Sequence, residues 1–377
     1  MERLAVEPRP DWRERAEKIG FEFHTIDGEP YWCEDAAYSF TSGQIDELDD
    51  AAQRLEDMCL ELVAEVIEKG DYAPFRISDL ACQLIEDSWR RQDKNLYGRF
   101  DLAWNGTGAP KLLEYNADTP TALYEASVVQ WEWLDSYCAH CDQFNGIHET
   151  LIEAWKHFGL WGHQLNFACV RDHAEDFGTA EYLRDTAVQA GIDTGRLYID
   201  EIGWNGKRFV DLQAKPITVL FKLYPWEWLL QEEFAGHIRS SGIRMIEPAW
   251  KMLLSTKALL PLLWQRWPGH ENLLPASFDA TAFSGPKVIK PFWGREGAGI
   301  TKLAADGSVQ EQVPMQGDPG STDAVIYQQA IEMPNFDGFY PVLGVWMVAS
   351  RACGLGIRED RSAITRNTSR FVPHLFE

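Results

Sequence analysis

The chain has 377 residues, of which 45% are hydrophobic and 25% charged, an ordinary globular composition with room for roughly two or three domains. Its net charge of −23 argues against nucleic acid or an anionic membrane as a partner and suits a cationic small molecule such as a polyamine, although such a charge also serves solubility. Neither a membrane-spanning apolar run nor a signal peptide is apparent, so we expect a cytoplasmic protein.

The cysteines are few and dispersed, and their number is odd. This pattern predicts reduced thiols rather than a disulfide framework. Cys138 and Cys141 have C-x-x-C spacing, but no second pair completes a zinc site and no thioredoxin-like strand precedes them, so the sequence disfavours a metal or redox role there. The seven cysteines are Cys33, Cys59, Cys82, Cys138, Cys141, Cys169 and Cys353.

The N-terminal third contains one long helix and one hairpin. Thr41 or Ser42 is expected to cap a helix whose apolar residues recur at helical spacing as far as Ile67, and Gly70 suits its end. The turn residues at 105–110 predict a hairpin. Its strands are expected at 97–104 and 111–116, followed by a loop at 117–121 and a helix at about 123–136.

The middle of the chain alternates between strands and helices, which indicates a parallel sheet. The last third changes to a glycine-rich loop followed by strands that predict a mostly antiparallel sheet. Strands are expected at 166–170, 196–199, 217–223, 244–247, 288–291, 324–329, 340–349 and 352–357, helices at 174–190, 226–241 and 249–267, and loops at 292–300 and 317–322.

The hairpin places acidic residues opposite each other. If Trp104 pairs with Lys111 across the loop, Asp101 faces Glu114, and both project from one side of the sheet. Two opposed carboxylates repel each other unless a cation lies between them.

The same face carries further polar groups. By the same register Arg99 faces Asn116, so Asp101, Glu114 and Asn116 together offer the oxygen ligands that Mg²⁺ prefers. Arg99 lies beside them and could hold a phosphoryl oxygen. An ordinary solvated hairpin face with a salt bridge explains the pattern equally well.

Two lysines accompany loops that suit phosphate binding. Lys290 ends an apolar strand and precedes Gly294, Gly297 and Gly299, whose backbone amides could approach phosphate oxygens. Lys257 begins a helical run. The loop matches neither the Walker pattern nor G-x-G-x-x-G, so by itself it indicates little.

Gln328 and Gln329 end an apolar strand, where they could offer polar groups to an adenine edge or form a plain surface pair. Arg358 follows a glycine-rich strand and could reach a terminal phosphate, or could pair with Glu359 or Asp360.

Taken in order, these segments resemble the glutathionylspermidine synthetase family over nearly the whole chain. The order of the motifs is more specific than any one of them. The motifs are Glu29–Asp35, Arg99–Asp101, Leu113–Thr121, Ser255–Trp264, Val288–Pro291, Arg295–Gly297, Gly354–Asp360 and Thr368–His374.

The resemblance implies an α/β (α+β) protein with a circularly permuted ATP-grasp fold and an inserted Rossmann-like domain. The expected divisions are 1–155 with the metal hairpin, 156–250 as the Rossmann-like pre-ATP-grasp domain, and 251–377 with the lysines, lid loop and adenine site. The family resemblance also implies that the protein binds ATP and two Mg²⁺ ions. Asp101, Glu114 and Asn116 would bind metal, Arg99 and Arg358 would be catalytic, and Arg99, Phe100, Asp101, Lys257, Lys290, Arg295, Glu296, Gly297, Gln328, Gln329 and Ile364 would bind the nucleotide.

The resemblance is closest to the short, stand-alone acid–amine ligases of the family, because the chain starts directly with the synthetase region and the amidase domain of the bifunctional member is not expected. It implies an ADP-forming ligase that joins a peptide- or glutathione-like carboxylate to an amine through an acyl phosphate. Thr119, Thr121, Glu175 and Asp176 are candidates for substrate contacts. A nucleotide or polyamine sensor without ligase activity, or a phosphotransferase, is the alternative.

Overall fold

A computed structural model describes residues 1–26, 28–315 and 324–377. The loop expected at 317–322 therefore lies outside the described residues. The strands are β1 Glu2–Ala5, β2 Thr25–Ile26, β3 Glu29–Pro30, β4 Ala36–Phe40, β5 Tyr97–Ala103, β6 Lys111–Asn116, β7 Leu165–Cys169, β8 Thr194–Tyr198, β9 Gly203–Trp204, β10 Phe209–Val210, β11 Val219–Leu223, β12 Arg244–Ile246, β13 Ala276–Ser277, β14 Lys287–Pro291, β15 Thr301–Leu303, β16 Val309–Gln312, β17 Val325–Gln329, β18 Tyr340–Val348, β19 Arg351–Asp360, β20 Arg370–Val372 and β21 His374–Phe376.

The helices are α1 Trp12–Lys18, α2 Ser42–Lys69, α3 Asp79–Arg90, α4 Gln130–Tyr137, α5 Ile147–Lys156, α6 Ala174–Gln189, α7 Trp226–Leu229, α8 Ile238–Ser241, α9 Met252–Ser255 and α10 Leu259–Arg266, with a π turn at Glu125–Val129 before α4. Helices α2 and α6 match the predicted bounds closely, two other predicted helices are interrupted, and α1, α3 and α5 were not predicted. None of the helices in the described ranges is both long and apolar enough to cross a membrane.

Three larger sheets organise the α/β fold. A parallel sheet has the order β12-β11-β7-β8, and its parallel pairing is confirmed. An antiparallel sheet joins the predicted hairpin to the C-terminal strands in the order β20-β19-β18-β5-β6. A second antiparallel sheet has the order β13-β17-β14-β15-β16. The antiparallel character expected of the last third is therefore also confirmed.

The long helix α2 forms where the sequence predicts it. The Thr41 hydroxyl accepts from the Gln44 amide and the Gln44 side chain accepts from the Thr41 amide, which completes a capping box. Gly70 ends the helix in the left-handed conformation. The apolar face of α2 packs in one core with Phe100 and Leu102 of β5.

Two predicted helices are broken. The segment 226–241 forms the short helix α7, a non-helical stretch at 230–234, and a 3-10 turn at Ala235–His237 that runs into the short helix α8. The segment 249–267 breaks at Thr256, which is extended, because the next amide, that of Lys257, donates to the carbonyl of Phe292 at 2.9 Å. This tertiary hydrogen bond outweighs local helix propensity.

The expectation that all cysteines are reduced thiols is wrong for one pair. Cys138 and Cys141 form a disulfide, because the turn after α4 brings their Cα atoms to 5.5 Å. The five remaining cysteines are free.

Candidate functional site

Strands β5 and β6 form the predicted hairpin, but the predicted closing pair is wrong. Lys111 lies opposite Ala103 rather than Trp104. Leu113 of β6 has no partner in the ladder, so a bulge shifts the register by one residue between the hairpin end and the polar face. The bulge restores the pairing on which the predicted site depends.

Beyond the bulge, Asp101 lies opposite Glu114 and Arg99 opposite Asn116, as predicted. The Arg99 guanidinium forms a fork with Asp101, with Nε–Oδ1 and Nη2–Oδ2 distances of 2.6 and 2.9 Å. The Asn116 amide nitrogen donates to Asp101 at 3.1 Å and to Glu114 at 3.2 Å. One side of the sheet thus carries two carboxylates bridged by an amide.

Arg99 is held in place by groups that the sequence analysis did not identify. Its Nη1 donates to the carbonyl of Thr121 at 2.7 Å, and its guanidinium lies 5.5 Å from the ring of Trp346. Gly344 of β18 lies opposite Asp101, and a Cβ there would come within 2.7 Å of Arg99 Cδ. A glycine in a central strand was the one available signal for this close approach.

Both predicted lysines face this hairpin. Lys257 Nζ lies 3.1 Å from Glu114 Oε2 and donates to the carbonyl of Gly294 at 2.8 Å. Lys290 Nζ donates at 2.8 Å to the carbonyl of Leu113, the bulged residue. The two ammonium groups therefore approach the acidic pair from neighbouring segments.

The lysines set the charge state of the site. Burial alone would raise the pKa of Glu114, but Lys257 and Lys290 lower that pKa to about 2, so the carboxylate is ionised at neutral pH. Burial also lowers the pKa of Lys290 to about 8, against the attraction of Glu114. Lys290 therefore titrates close to physiological pH.

The glycine-rich loop after β14 folds over these groups. Gly297 has a φ of 74°, and a Cβ there would lie 2.5 Å from the carbonyl oxygen of Thr365, so only glycine fits. Arg295 Nη2 pairs with Glu227 at 2.5 Å, and its guanidinium lies 4.9 Å from the ring of Trp228. The loop is thereby tied to α7, which lies between β11 and β12 of the parallel sheet.

Two adjoining cavities gather most of the predicted residues. Glu114, Glu296 and Arg358 line both, and the Arg358 guanidinium has no hydrogen-bond or ion-pair partner among the residues that the structure describes. The cavity under the loop is lined by Arg99, Asn116, Thr119, Thr121, Lys257 and Arg295, and the more apolar one by Asp101, Lys290, Gly297, Gln328, Gln329 and Ile364.

A third cavity, of about 270 Å³, contains the predicted substrate residues Thr119, Thr121, Glu175 and Asp176 together. Glu296 also lines it, and burial and the nearby Glu175 carboxylate raise the pKa of Glu296. The two threonines, Arg295 and Glu296 line the first cavity as well, so the two cavities are continuous. Three carboxylates thus line this cavity together with Arg295 and His173, and Asp176 raises the pKa of His173 to about 8.

One predicted residue is not brought to the site. Phe100 is fully buried and stacks on Tyr115 with ring centroids 3.8 Å apart. Because neighbours along a strand point to opposite faces, its side chain projects away from Arg99 and Asp101. The Phe100 side chain is therefore not among the groups that line the candidate site. Leu113, Asp118 and Trp293 lie in segments that the sequence analysis named without giving these residues a role, and Gly344 was missed.

The fold places the protein among glutathione synthetase-like structures. A glutathione synthetase-like effector from Globodera pallida superposes with a TM-score of 0.59 and 12% sequence identity, covering 97% of this chain and 96% of that one. At this identity the likeness concerns the fold alone.

The sequence comparisons identify the family. The family model for the glutathionylspermidine synthase preATP-grasp region matches residues 3–377, so the chain belongs to the glutathionylspermidine synthase family. A Haemophilus influenzae protein provisionally named an acid–amine ligase is 46% identical, with 98% of this chain and 97% of that protein covered. Trypanothione synthetase from Crithidia fasciculata is 29% identical, and the match covers 85% of this chain but only 53% of that enzyme. The names of these relatives support an enzymatic role as a ligase.

Proposed function

We propose that the protein is an ADP-forming, ATP- and Mg²⁺-dependent ligase that joins a small carboxylic acid to an amine in a circularly permuted ATP-grasp fold. The observation that carries the proposal is the pairing of Asp101 and Glu114 beside two lysines, where the cleft lined by the predicted nucleotide residues meets the cavity lined by three carboxylates. In this proposal residues 1–155 and 251–377 form the ATP-grasp parts, and 156–250 the Rossmann-like insertion.

The donor set of the hairpin fits Mg²⁺. Asp101 and Glu114 present carboxylate oxygens on one face, and the low pKa of Glu114 keeps it ionised. The Asn116 amide now donates its nitrogen to both carboxylates, and its rotation would add an amide oxygen to the donor set. Bound there, the metal would neutralise charge on the ATP phosphates. Lys257 and Lys290 would contact the same phosphates, while Gln328 and Gln329 would lie along the adenine.

The reaction would proceed in two steps. The substrate carboxylate attacks the γ-phosphorus of ATP, which forms an acyl phosphate and releases ADP. The amine then attacks the acyl carbon, loses a proton and expels inorganic phosphate. Arg99, fixed by its fork with Asp101, would stabilise the transferred phosphoryl group. Arg358, whose guanidinium has no partner in the described part of the chain, would do the same.

The amine would enter through the cavity lined by the three carboxylates. Glu175, Asp176 and Glu296 there suit a cationic amine such as a polyamine, whereas Thr119 and Thr121, shared with the first cavity, would contact the acid. The loop at 292–300 would exclude water from the acyl phosphate.

The first experiment is Mg²⁺-dependent ADP release against a matrix of acids and amines that includes glutathione, γ-glutamyl peptides, spermidine and putrescine. We expect release that requires one acid and one amine together. ATP binding without turnover under any pairing would favour the sensor. Trapping with hydroxylamine distinguishes the ligase from a phosphotransferase. Only an acyl phosphate yields a hydroxamate, so a phosphotransferase with a different phosphorylated product gives none.

The site assignment is tested by isosteric replacement. Glu114→Gln should lower turnover on the order of a hundredfold or more, because one charge contact to the phosphates and metal is lost. Lys287→Met on β14 is the matched control for Lys290→Met, since Lys287 donates to the carbonyls of Ala280 and Phe283 rather than into the site. Wild-type turnover in Glu114→Gln and Lys290→Met would refute the assignment.

A further inference from the structure

The turn that follows α4 gathers four side chains that can ligate a metal ion. Cys138, His140 and Cys141 lie in the turn, and Glu377 reaches it from the residue after β21. None of the four lines a cavity of the candidate site. The proposed ligase reaction therefore leaves this group unexplained.

The donor atoms are close to one another. Cys138 Sγ lies 3.6 Å from the ring nitrogens of His140. Glu377 Oε1 lies 3.7 Å from His140 Nε2 and 3.9 Å from Cys141 Sγ. In a tetrahedral zinc site, metal–ligand bonds of about 2.0–2.3 Å place neighbouring donors about 3.4–3.8 Å apart. The donor atoms of Cys138, His140 and Cys141 all lie within 4.8 Å of one another, and the Glu377 carboxylate adjoins this group at His140 and Cys141.

The backbone holds the two contributing segments together. The amides of Asp142 and Phe376 donate to each other's carbonyls, at 3.0 and 2.9 Å, and Gln143 Nε2 donates to the carbonyl of His374 at 2.9 Å. The position of Glu377 beside the turn therefore follows from main-chain pairing. His140 and Glu377 are exposed, with 80% and 72% of their side chains accessible, so an ion can enter from solvent.

We propose that the turn is a redox-gated zinc site with Cys138, His140, Cys141 and Glu377 as ligands. A dithiol reductant transfers two electrons and two protons to the disulfide, which gives two cysteine thiols and the oxidised, disulfide form of the reductant. Zn²⁺ then binds the two thiolates, the imidazole and the carboxylate, and two protons are released. Two thiolates with one imidazole and one carboxylate favour Zn²⁺ over Mg²⁺ or Ca²⁺.

Thiol counting tests the first half of the proposal. Under denaturing conditions, air-oxidised protein should show two fewer reactive thiols than protein reduced with dithiothreitol. Zn²⁺ alone, titrated with a chromophoric chelator as competitor, should bind the reduced folded protein with a stoichiometry of one and should not bind the oxidised protein at this turn.

Variants assign the ligands. Cys141→Ser and His140→Asn should weaken Zn²⁺ binding by at least the roughly 10–100-fold that loss of an outer-shell partner costs. Cys82→Ser, at a half-buried free cysteine on α3, and His163→Asn, at an exposed histidine, are the matched controls and should bind as the wild type does. Circular dichroism verifies that each variant is folded. The proposal is overturned if folded, reduced wild type binds no Zn²⁺, or if the controls lose binding as the ligand variants do.

Discussion

At the residue scale, Gly344 determines where Arg99 can lie. A methyl group at Gly344 would meet Arg99 Cδ at 2.7 Å and displace the guanidinium from Asp101. Since a displacement of about 1 Å can cost on the order of a hundredfold in rate, Gly344→Ala should lower ligase turnover by about that factor. Gly285→Ala, where nothing lies within 4 Å of the added Cβ, is the control. Equal steady-state rates for the two variants would contradict this role of Gly344.

Lys290 makes nucleotide binding dependent on pH. Its pKa of about 8 means that about half the molecules carry a neutral amine at pH 8, whereas phosphate binds the ammonium form. ATP binding should therefore take up protons at pH 8 and hardly any at pH 6.5, and affinity should fall as the pH rises above 8. Calorimetry in two buffers of different ionisation enthalpy measures the uptake. Lys290→Arg should abolish it, and buffer-independent heats for the wild type at pH 8 would contradict the prediction.

At the scale of elements, the β6 bulge connects the hairpin to the lysine strand. Leu113 is unpaired in the ladder, and its carbonyl accepts from Lys290 Nζ. Deleting Leu113 should restore a regular ladder, keep Asp101 opposite Glu114 and weaken ATP binding through displacement of Lys290. Leu113→Met retains both the carbonyl and an apolar side chain, so it should bind ATP nearly as the wild type does. Equal affinities for the two variants in a titration would show that the bulge is dispensable.

At the scale of the whole molecule, a buried ion pair ties the parallel sheet to the hairpin. Lys222 of β11 lies 2.8 Å from Asp118, which follows β6, and both side chains are almost fully buried. Asp118 also accepts from the amide of Trp226 at 2.9 Å. Asp118→Asn removes the carboxylate that is ion-paired with Lys222 and should lower the free energy of unfolding by about 3–5 kcal/mol.

Urea denaturation measures this effect. Glu153→Gln, which breaks an exposed pair with Lys156, should change the same free energy by less than about 1 kcal/mol. The double variant Asp118→Leu, Lys222→Met should recover part of the loss, because apolar replacement of both partners leaves no buried charge. A double variant as unstable as Asp118→Asn would argue against an ion-pair origin.

Local sequence patterns were sufficient to predict many of the helices and strands of this protein. The helix α2 follows from its capping box and apolar spacing, and the alternation of strands and helices predicts the parallel sheet. The opposition of Asp101 and Glu114 was predicted by a register that is wrong at the hairpin end, and the bulge at Leu113 compensates for that error. A bulge leaves no reliable mark in the sequence, because it depends on the strands and loops packed beside it.

The sequence by itself determined the features that depend on near neighbours in the chain, which are periodicity, caps, turns and the family motifs. It also determined the polar residue types that the candidate site needs. Only the tertiary structure decided the break of the helix before Lys257, the position of the Arg99 side chain against Gly344, the burial of Phe100 and the disulfide between Cys138 and Cys141. Each of these follows from contacts or chain reversals whose energies compete with local propensity. Such contacts exist only once the sheets have assembled.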